Sequence, residues 1–326
     1  MSINRRDFLR GALAGGTLLA AGAPAEARPN KAMPPEAVGL LYDSTLCIGC
    51  KACVAACKEV NGMPPEFSTP EQYWDTPLDI SGKTLNVIKM YKDGTGETKD
   101  SEKNGYAFMK VSCLHCADPS CVSACPVSAM TKDPVTGIVG YDKGACIGCR
   151  YCVAACPFGV PRFQYDTPFP QISKCQLCRH RMAEGKYAAC AEVCPTGATL
   201  FGKVKDLHAE SKRRLALKAG EEAVFPRGNL NTGDQSPHSA RAAKYIPQIY
   251  GEKEVGGTQM LKLSAVPFDK LGQPTLPERS YASVSETMQH TLYGGLFAPL
   301  AFLGVLTFVA KRNVKDDENE AGHEKD

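Results

Sequence analysis

Twenty consecutive residues near the end of the chain, 291–310 (TLYGGLFAPLAFLGVLTFVA), carry no charge. As a helix they would span roughly 30 Å, the hydrocarbon thickness of a bilayer. Lys311 and Arg312 follow at once, and an acidic tail completes residues 311–326. Cationic flanks stay in the cytoplasm, so the pattern predicts a transmembrane helix with the tail inside and the body of the chain outside. A buried core helix is the competing expectation, because Gly294, Gly295, Pro299 and Gly304 weaken a free-standing helix. Membrane helices tolerate such residues where other helices pack against them, which implies a helical partner in the lipid bilayer.

Elsewhere the apolar pattern is short-ranged. Residues 28–40 are Pro-rich and polar and read as an extended linker, and a short helix is expected within 41–60. Residues 83–90 and 105–111 are strand-like, with Asp93-Gly94 and Asn104-Gly105 as turn signals, and would form an inserted hairpin. Gly137-Ile138-Val139 suits another short strand. Residues 202–219 fit a helix whose basic side (Lys203, Lys205, Lys212, Arg213, Arg214) reads as a solvated face. Residues 220–286 show little periodicity and are expected to lie extended over the rest of the molecule or a neighbouring subunit; residues 203–290 as a whole read as an extended and helical C-terminal segment.

The first residues point to export. Arg5-Arg6 precede Phe8-Leu9, a weakly apolar run covers 11–23, and Ala25-Glu26-Ala27 offers a cleavage site, so residues 1–27 resemble a twin-arginine signal. An ordinary Sec signal or an N-terminal anchor is the alternative, disfavoured by the short, weakly apolar stretch. The twin-arginine route moves folded proteins. It would let thiolate-bound cofactors be assembled in a reducing cytoplasm before reaching an oxidising compartment.

The chemistry lies in the cysteines. All 16 fall into four quartets: Cys47-Cys50-Cys53-Cys57, Cys113-Cys116-Cys121-Cys125, Cys146-Cys149-Cys152-Cys156 and Cys175-Cys178-Cys190-Cys194. The first and third read C-x2-C-x2-C-x3-C, and the last three quartets are each followed at once by proline (Pro126, Pro157 and Pro195). This is the run that wraps a cubane iron–sulfur cluster, and in two-cluster ferredoxins the last cysteine of a run ligates the other cluster. Disulfides are a poor alternative, since thiols this dense cannot all meet the separation a bridge demands. Zinc prefers two separated C-x2-C pairs. Every quartet is complete, which argues against degenerate sites.

The remaining composition narrows the field. A 326-residue chain with 43% hydrophobic content can bury a sizeable core, while a net charge of +3 and a single Trp give no argument for nucleic acid. There is no G-x-G-x-x-G after a strand and no P-loop, so catalysis within the chain is not expected. His115 sits inside a complete quartet and reads as a supporting residue rather than a ligand. Arg162, Lys174, Arg179 and Arg181 lie near the cysteine loops and would either raise a reduction potential or serve as surface charge.

Taken together, these residues resemble the four-cluster ferredoxin-like subunits of membrane-bound molybdopterin and hydrogenase complexes. The resemblance covers about 41–202 and rests on Cys113-Leu114-His115-Cys116, Cys121-Val122-Ser123-Ala124-Cys125-Pro126, Cys156-Pro157-Phe158-Gly159-Val160-Pro161-Arg162 and Cys175-Gln176-Leu177-Cys178. It implies an α+β fold of two tandem ferredoxin-like 2×[4Fe-4S] units, the second (113–157) inserted in the first, plus one C-terminal transmembrane helix. It also implies four [4Fe-4S] clusters, on Cys47, Cys50, Cys53 and Cys194; on Cys57, Cys175, Cys178 and Cys190; on Cys113, Cys116, Cys121 and Cys156; and on Cys125, Cys146, Cys149 and Cys152. A twin-arginine signal combined with one C-terminal helix looks most like the iron–sulfur subunits of hydrogenase-2 type [NiFe] hydrogenases. The implied partners are the hydrogenase small and large subunits and a quinone-reactive integral membrane subunit, at the periplasmic face of the bacterial inner membrane. The equivalent subunit of a formate dehydrogenase or other molybdopterin oxidoreductase is the alternative.

Overall fold

The computed structural model describes residues 26–67 and 76–321. Most of the export signal expected over 1–27 and the end of the tail lie outside them. Contacts divide the chain into a large unit, Asn30–Ala282, and a small one containing Ser283 onward together with the residues before Asn30.

In the large unit, strand β1 (Val38–Asp43) leads into the first cysteine loop and helix α1 (Ala52–Val60). Strands β2 (Val87–Lys92), β3 (Thr98–Lys99) and β4 (Gly105–Val111) make a small sheet, followed by the helical turn α2 (Ser120–Ser123). The hairpin β5 (Met130–Lys132) and β6 (Val139–Tyr141) comes next, then α3 (Tyr151–Ala155), β7 (Arg162–Phe163) and β8 (Ile172–Ser173). After α4 (Arg179–Met182) and α5 (Ala189–Glu192), strand β9 (Thr199–Lys203) runs into helix α6 (Val204–Leu215). Strands β10 (Glu222–Phe225), β11 (His238–Arg241) and β12 (Met260–Leu263) complete the unit.

A three-stranded sheet of order β12-β1-β9 organises the core. Leu40 lies beside Phe201 and Met260, and Leu41 beside Leu200 and Leu261. Alternation across the pleat sends these two layers to opposite faces. Leu40, Tyr42, Phe201 and Met260 join Phe108, Met109 and several cysteines in the main core, whereas Leu41, Leu200, Leu261 and Leu263 pack with Leu207 of α6. Both faces are covered, so β1 reads as a continuous apolar run rather than an alternating one.

Three sequence expectations shift. Strand β1 begins inside the stretch read as linker, with Leu40 buried. The first hairpin strand starts at Val87 rather than 83, because Ser81 and Thr84 close a turn of their own. Residues 220–286 are not merely extended: β12 is buried along its whole length and pairs in parallel with β1.

Helix α6 forms as its periodicity predicts, but its basic side is not wholly solvated. Arg214 is fully buried and pairs with Asp43 at 3.0 Å and Glu210 at 2.8 Å. Tyr245 adds a hydrogen bond to Asp43 of 2.8 Å. This network anchors α6 to the end of β1, just before Cys47.

Lys262 is a second buried cation, donating to Gln273 and lying 5.8 Å from the centre of the Tyr250 ring. Burial, reinforced by repulsion from Lys110, pulls it down to about 7 from 10.5. Between those values the unfolded chain holds a proton that the folded chain has released, so stability rises with pH through that window, by about 1.4 kcal/mol per unit. The anaerobic unfolding temperature of the native chain is expected to gain more between pH 7 and pH 9 than that of Lys262→Met; equal gains would rule out a neutral Lys262.

Helix α7 (Tyr281–Ala321), which belongs to the small unit from Ser283 on, extends well beyond the twenty residues expected from the sequence. Its stretch Tyr281–Val309 has a mean hydropathy of 1.9 in its most apolar window and is the one helix among the described residues long and apolar enough to cross a membrane. Leu292, Leu296, Phe297, Leu300, Leu303 and Phe308 are exposed along it. Arg28 pairs with Glu286 at 2.7 Å near its start.

Candidate iron–sulfur sites

Each cysteine loop solves the same geometric problem. The residue before the second cysteine is left-handed in all four: Gly49 (φ 70°), His115 (50°), Gly148 (72°) and Leu177 (51°). That turn points backbone amides at sulfur, and Gly148 and Leu177 donate to Cys146 and Cys175 at 3.4 and 3.3 Å. Glycine adopts the conformation freely, whereas His115 and Leu177 hold it at a cost of about 1–2 kcal/mol. Sequence reasoning read none of the four as left-handed; the glycines were the available signal at 49 and 148, and nothing local marked the other two positions.

The third and fourth cysteines of each quartet are four apart, and a helical turn (α1, α2, α3 or α5) carries the third. Side chains at i and i+4 share one face of such a turn. The structure nevertheless gives the two different neighbours. Cys47, Cys50, Cys53 and Cys194 line one cavity. Cys57 lies within electrostatic reach of Cys178 and Cys190, and Cys175 joins them. Cys116 has Cys113, Cys121 and Cys156 as neighbours, and Cys152 has Cys125, Cys146 and Cys149.

The groups also lie within electrostatic reach of one another in a row. Cys53 of the first group is near Cys190 of the second, Cys175 of the second is near Cys113 of the third, and Cys121 of the third is near Cys152 of the fourth. Only Cys50 and Cys149 are exposed, one in each terminal group.

Two observations test whether these thiols suit a cluster. Among the described residues no three His, Cys, Asp or Glu side chains converge as a single-ion site would require. His115 supplies the second. The Val139 amide donates to its Nδ1 at 3.0 Å, so the neutral ring carries its proton on Nε2. Burial, with Lys174 and Lys132 nearby, holds the imidazole well below its ordinary 6.5, and Nε2 is buried with no partner among the protein atoms. An orphaned buried donor costs about 1–3 kcal/mol. The sulfur of a cluster held between Cys113 and Cys116 is an acceptor of the right kind, so the residues fit the group.

Electrostatics point the same way. Burial and mutual repulsion push Cys53 and Cys121 up to about 12 and Cys57 and Cys152 to about 11. Thiolates packed this closely become favourable once iron brings positive charge, so loading releases protons.

Of the four cations singled out in the sequence, two reach cysteines. Lys174 is buried, donates to the carbonyls of Val139 and Cys175 and neighbours Cys121, and Arg181 neighbours Cys178. Arg162 pairs with Asp79 at 3.0 Å, and Arg179 donates to the Tyr141 carbonyl at 3.0 Å. Sequence reasoning missed Lys110 and Lys132. A lysine inside the apolar strand β4 was the available signal for Lys110.

Comparison with known proteins agrees with this chemistry. Two models of the 4Fe-4S dicluster domain match, over residues 46–129 and 105–204. The chain is 47% identical to the hydrogenase-2 operon protein HybA of Escherichia coli O157:H7, covering 98% of both chains. It is 32% identical to the formate dehydrogenase-O iron-sulfur subunit of Escherichia coli K12, over 89% of this chain and 90% of that one. A third relative, the iron-sulfur subunit of the nitrate-inducible formate dehydrogenase of the same strain, is 31% identical over 92% and 94%. The chain therefore belongs to the family of 4Fe-4S dicluster proteins that includes these iron–sulfur subunits, and it is an electron-transfer subunit rather than a catalytic one.

Proposed function

We propose that this chain carries electrons one at a time through four [4Fe-4S] clusters, between a periplasmic [NiFe] hydrogenase and a quinone-reactive integral membrane subunit. The observation that carries the reading is the row of four thiol groups, each near the next, with one exposed cysteine at either end. The ligand sets are then Cys47, Cys50, Cys53 and Cys194; Cys57, Cys175, Cys178 and Cys190; Cys113, Cys116, Cys121 and Cys156; and Cys125, Cys146, Cys149 and Cys152. These pairings make the fold a nested one, with a two-cluster unit over 113–157 inserted into another within 41–202.

Clusters held by these cysteines would supply one-electron chemistry at each of the four sites. The polypeptide fixes their spacing through helical turns and leaves a fully exposed cysteine only in the two end groups. Two electrons released by oxidation of hydrogen would reach a quinone, which takes up two protons on reduction. Residues 1–27 serve as the twin-arginine signal, and the residues between it and β1 as a linker. Residues 291–310 anchor the chain by a single pass, leaving 311–326 in the cytoplasm; the apolar, exposed helix supports this placement.

The hydrogenase assignment rests on 47% identity along nearly the whole of both chains. A formate dehydrogenase subunit is the second reading, favoured by the 32% identity to that subunit. What copurifies with the detergent-extracted chain under anaerobic conditions separates them. Nickel is expected, together with about sixteen iron atoms per chain from four cubanes. Molybdenum or tungsten instead of nickel would overturn the hydrogenase partner, and half the iron would overturn the four-site count.

A further inference from the structure

Lys110 is 1% exposed, on β4 opposite Ile88 of β2. Its ammonium donates to Asn86 Oδ1 at 3.2 Å, and Asn86 in turn donates to the Cys53 carbonyl at 3.3 Å. Asn86 thus steers the charge toward the boundary between the first and second thiol groups. A buried ammonium ordinarily requires an anionic partner, and the strongest electrostatic neighbours of Lys110 are thiols, with no carboxylate among them: Cys190, Cys53, Cys57 and Cys175. Cys178 also feels it, so every member of the second group lies in its field.

Two further cations lie beside that group. Arg181 neighbours Cys178. Lys174, buried at the boundary with the third group, donates to the Cys175 carbonyl at 3.0 Å. By contrast, the strongest influences on Cys152 of the fourth group are burial, the three other thiols of that group and a backbone amide. Lys262 shows what the thiols do for Lys110: with no anionic neighbour it is pulled down by burial, whereas Lys110, though burial opposes its charge, is held above 10.5 by the thiolates.

We propose that Lys110 makes the site formed by Cys57, Cys175, Cys178 and Cys190 the electron sink of the relay, the site reduced first and reoxidised last. This rests on the ligand sets proposed above. Reduction adds one negative charge to a site, and a fixed cation beside it favours that state. In the step that fills the sink, a neighbouring site loses one electron and is oxidised while this one gains it and is reduced. No proton has to move, since Lys110 keeps its charge in both states. Lys110 acts as a positioning residue, not as a ligand.

EPR-monitored potentiometric titration of the full chain in its detergent-extracted complex tests this. The signal of the second site, identified as the one lost in Cys57→Ala, is expected to titrate at the highest potential of the four. In Lys110→Met its reduction equilibrium should fall at least tenfold, about 59 mV for one electron. The signal of the fourth site should stay where it was, and Lys110→Arg should keep the second near its native potential. Unmoved potentials in a fully loaded Lys110→Met protein, an equal shift of all four sites, or a native ranking in which the second site is not highest would each overturn the role of Lys110. If Lys110→Met fails to load, the native ranking and Lys110→Arg still decide. Iron far below about sixteen per chain in the native protein defeats the ligand sets themselves, and this inference with them.

Discussion

Cys57→Ala is expected to empty the site that Cys175, Cys178 and Cys190 form and to leave intact the one lined by the other three cysteines of its own quartet. Iron and labile sulfide should drop by about a quarter, from about sixteen to about twelve of each per chain. The reason is the helical turn of α1. Cys53 and Cys57 share one face, yet Cys53 borders the cavity shared with Cys47, Cys50 and Cys194, while Cys57 neighbours Cys178 and Cys190. Because the four groups stand in a row, the loss opens a gap next to one end, and quinone reduction by the whole complex should fall to a trace. Metal and sulfide analysis measures the first effect and EPR identifies the missing signal. Loss of the first site's signal with the second retained would reverse the assignment of Cys57.

Arg214→Met should be the most damaging change away from the cysteines. Arg214 and Asp43 are both fully buried, 3.0 Å apart, and Glu210 joins at 2.8 Å. Removing the guanidinium strands two buried carboxylates, which typically costs about 3–5 kcal/mol, against a total stability of about 5–15 kcal/mol for most domains. The damage should also be directional. Asp43 ends β1 and accepts from the Thr45 amide at 3.0 Å and its hydroxyl at 2.7 Å, so it sets the path into Cys47. A large drop in the anaerobic unfolding temperature is expected, with iron lost first from the Cys47, Cys50, Cys53 and Cys194 site. A change of less than 1 kcal/mol would mean that water or rearrangement replaces the lost cation.

How much of this was legible depended on the range of the interactions. The hairpin strand at 105–111 and the helix through Cys53 and Cys57 were readable because their signals are local: turn residues, periodicity and a cysteine run. Strand β12 was not. Its four residues, Met260 to Leu263, include Lys262, and such a short stretch with a charge in it carries no strand signature. Only the pairing of Leu40 with Met260 and Leu41 with Leu261 makes it a strand, and a parallel strand has no turn to announce it. Arg214 was misjudged for a related reason. A charge on a helix looks solvated until a distant carboxylate, here Asp43, is brought to it.

Cysteine spacing by itself determined the chemistry, because a loop of three or four residues is all that is needed to present thiolates to iron, and that geometry is written in neighbouring positions. The apolar run before Lys311 was equally self-sufficient, since length and lack of charge are properties of a single segment. Tertiary structure alone decided which thiols meet across quartets, that the groups stand in a row, and that Lys110 and Lys174 lie buried between them. Those facts depend on residues far apart in the chain packing into one core, and the energy of a buried charge is set by what surrounds it in space.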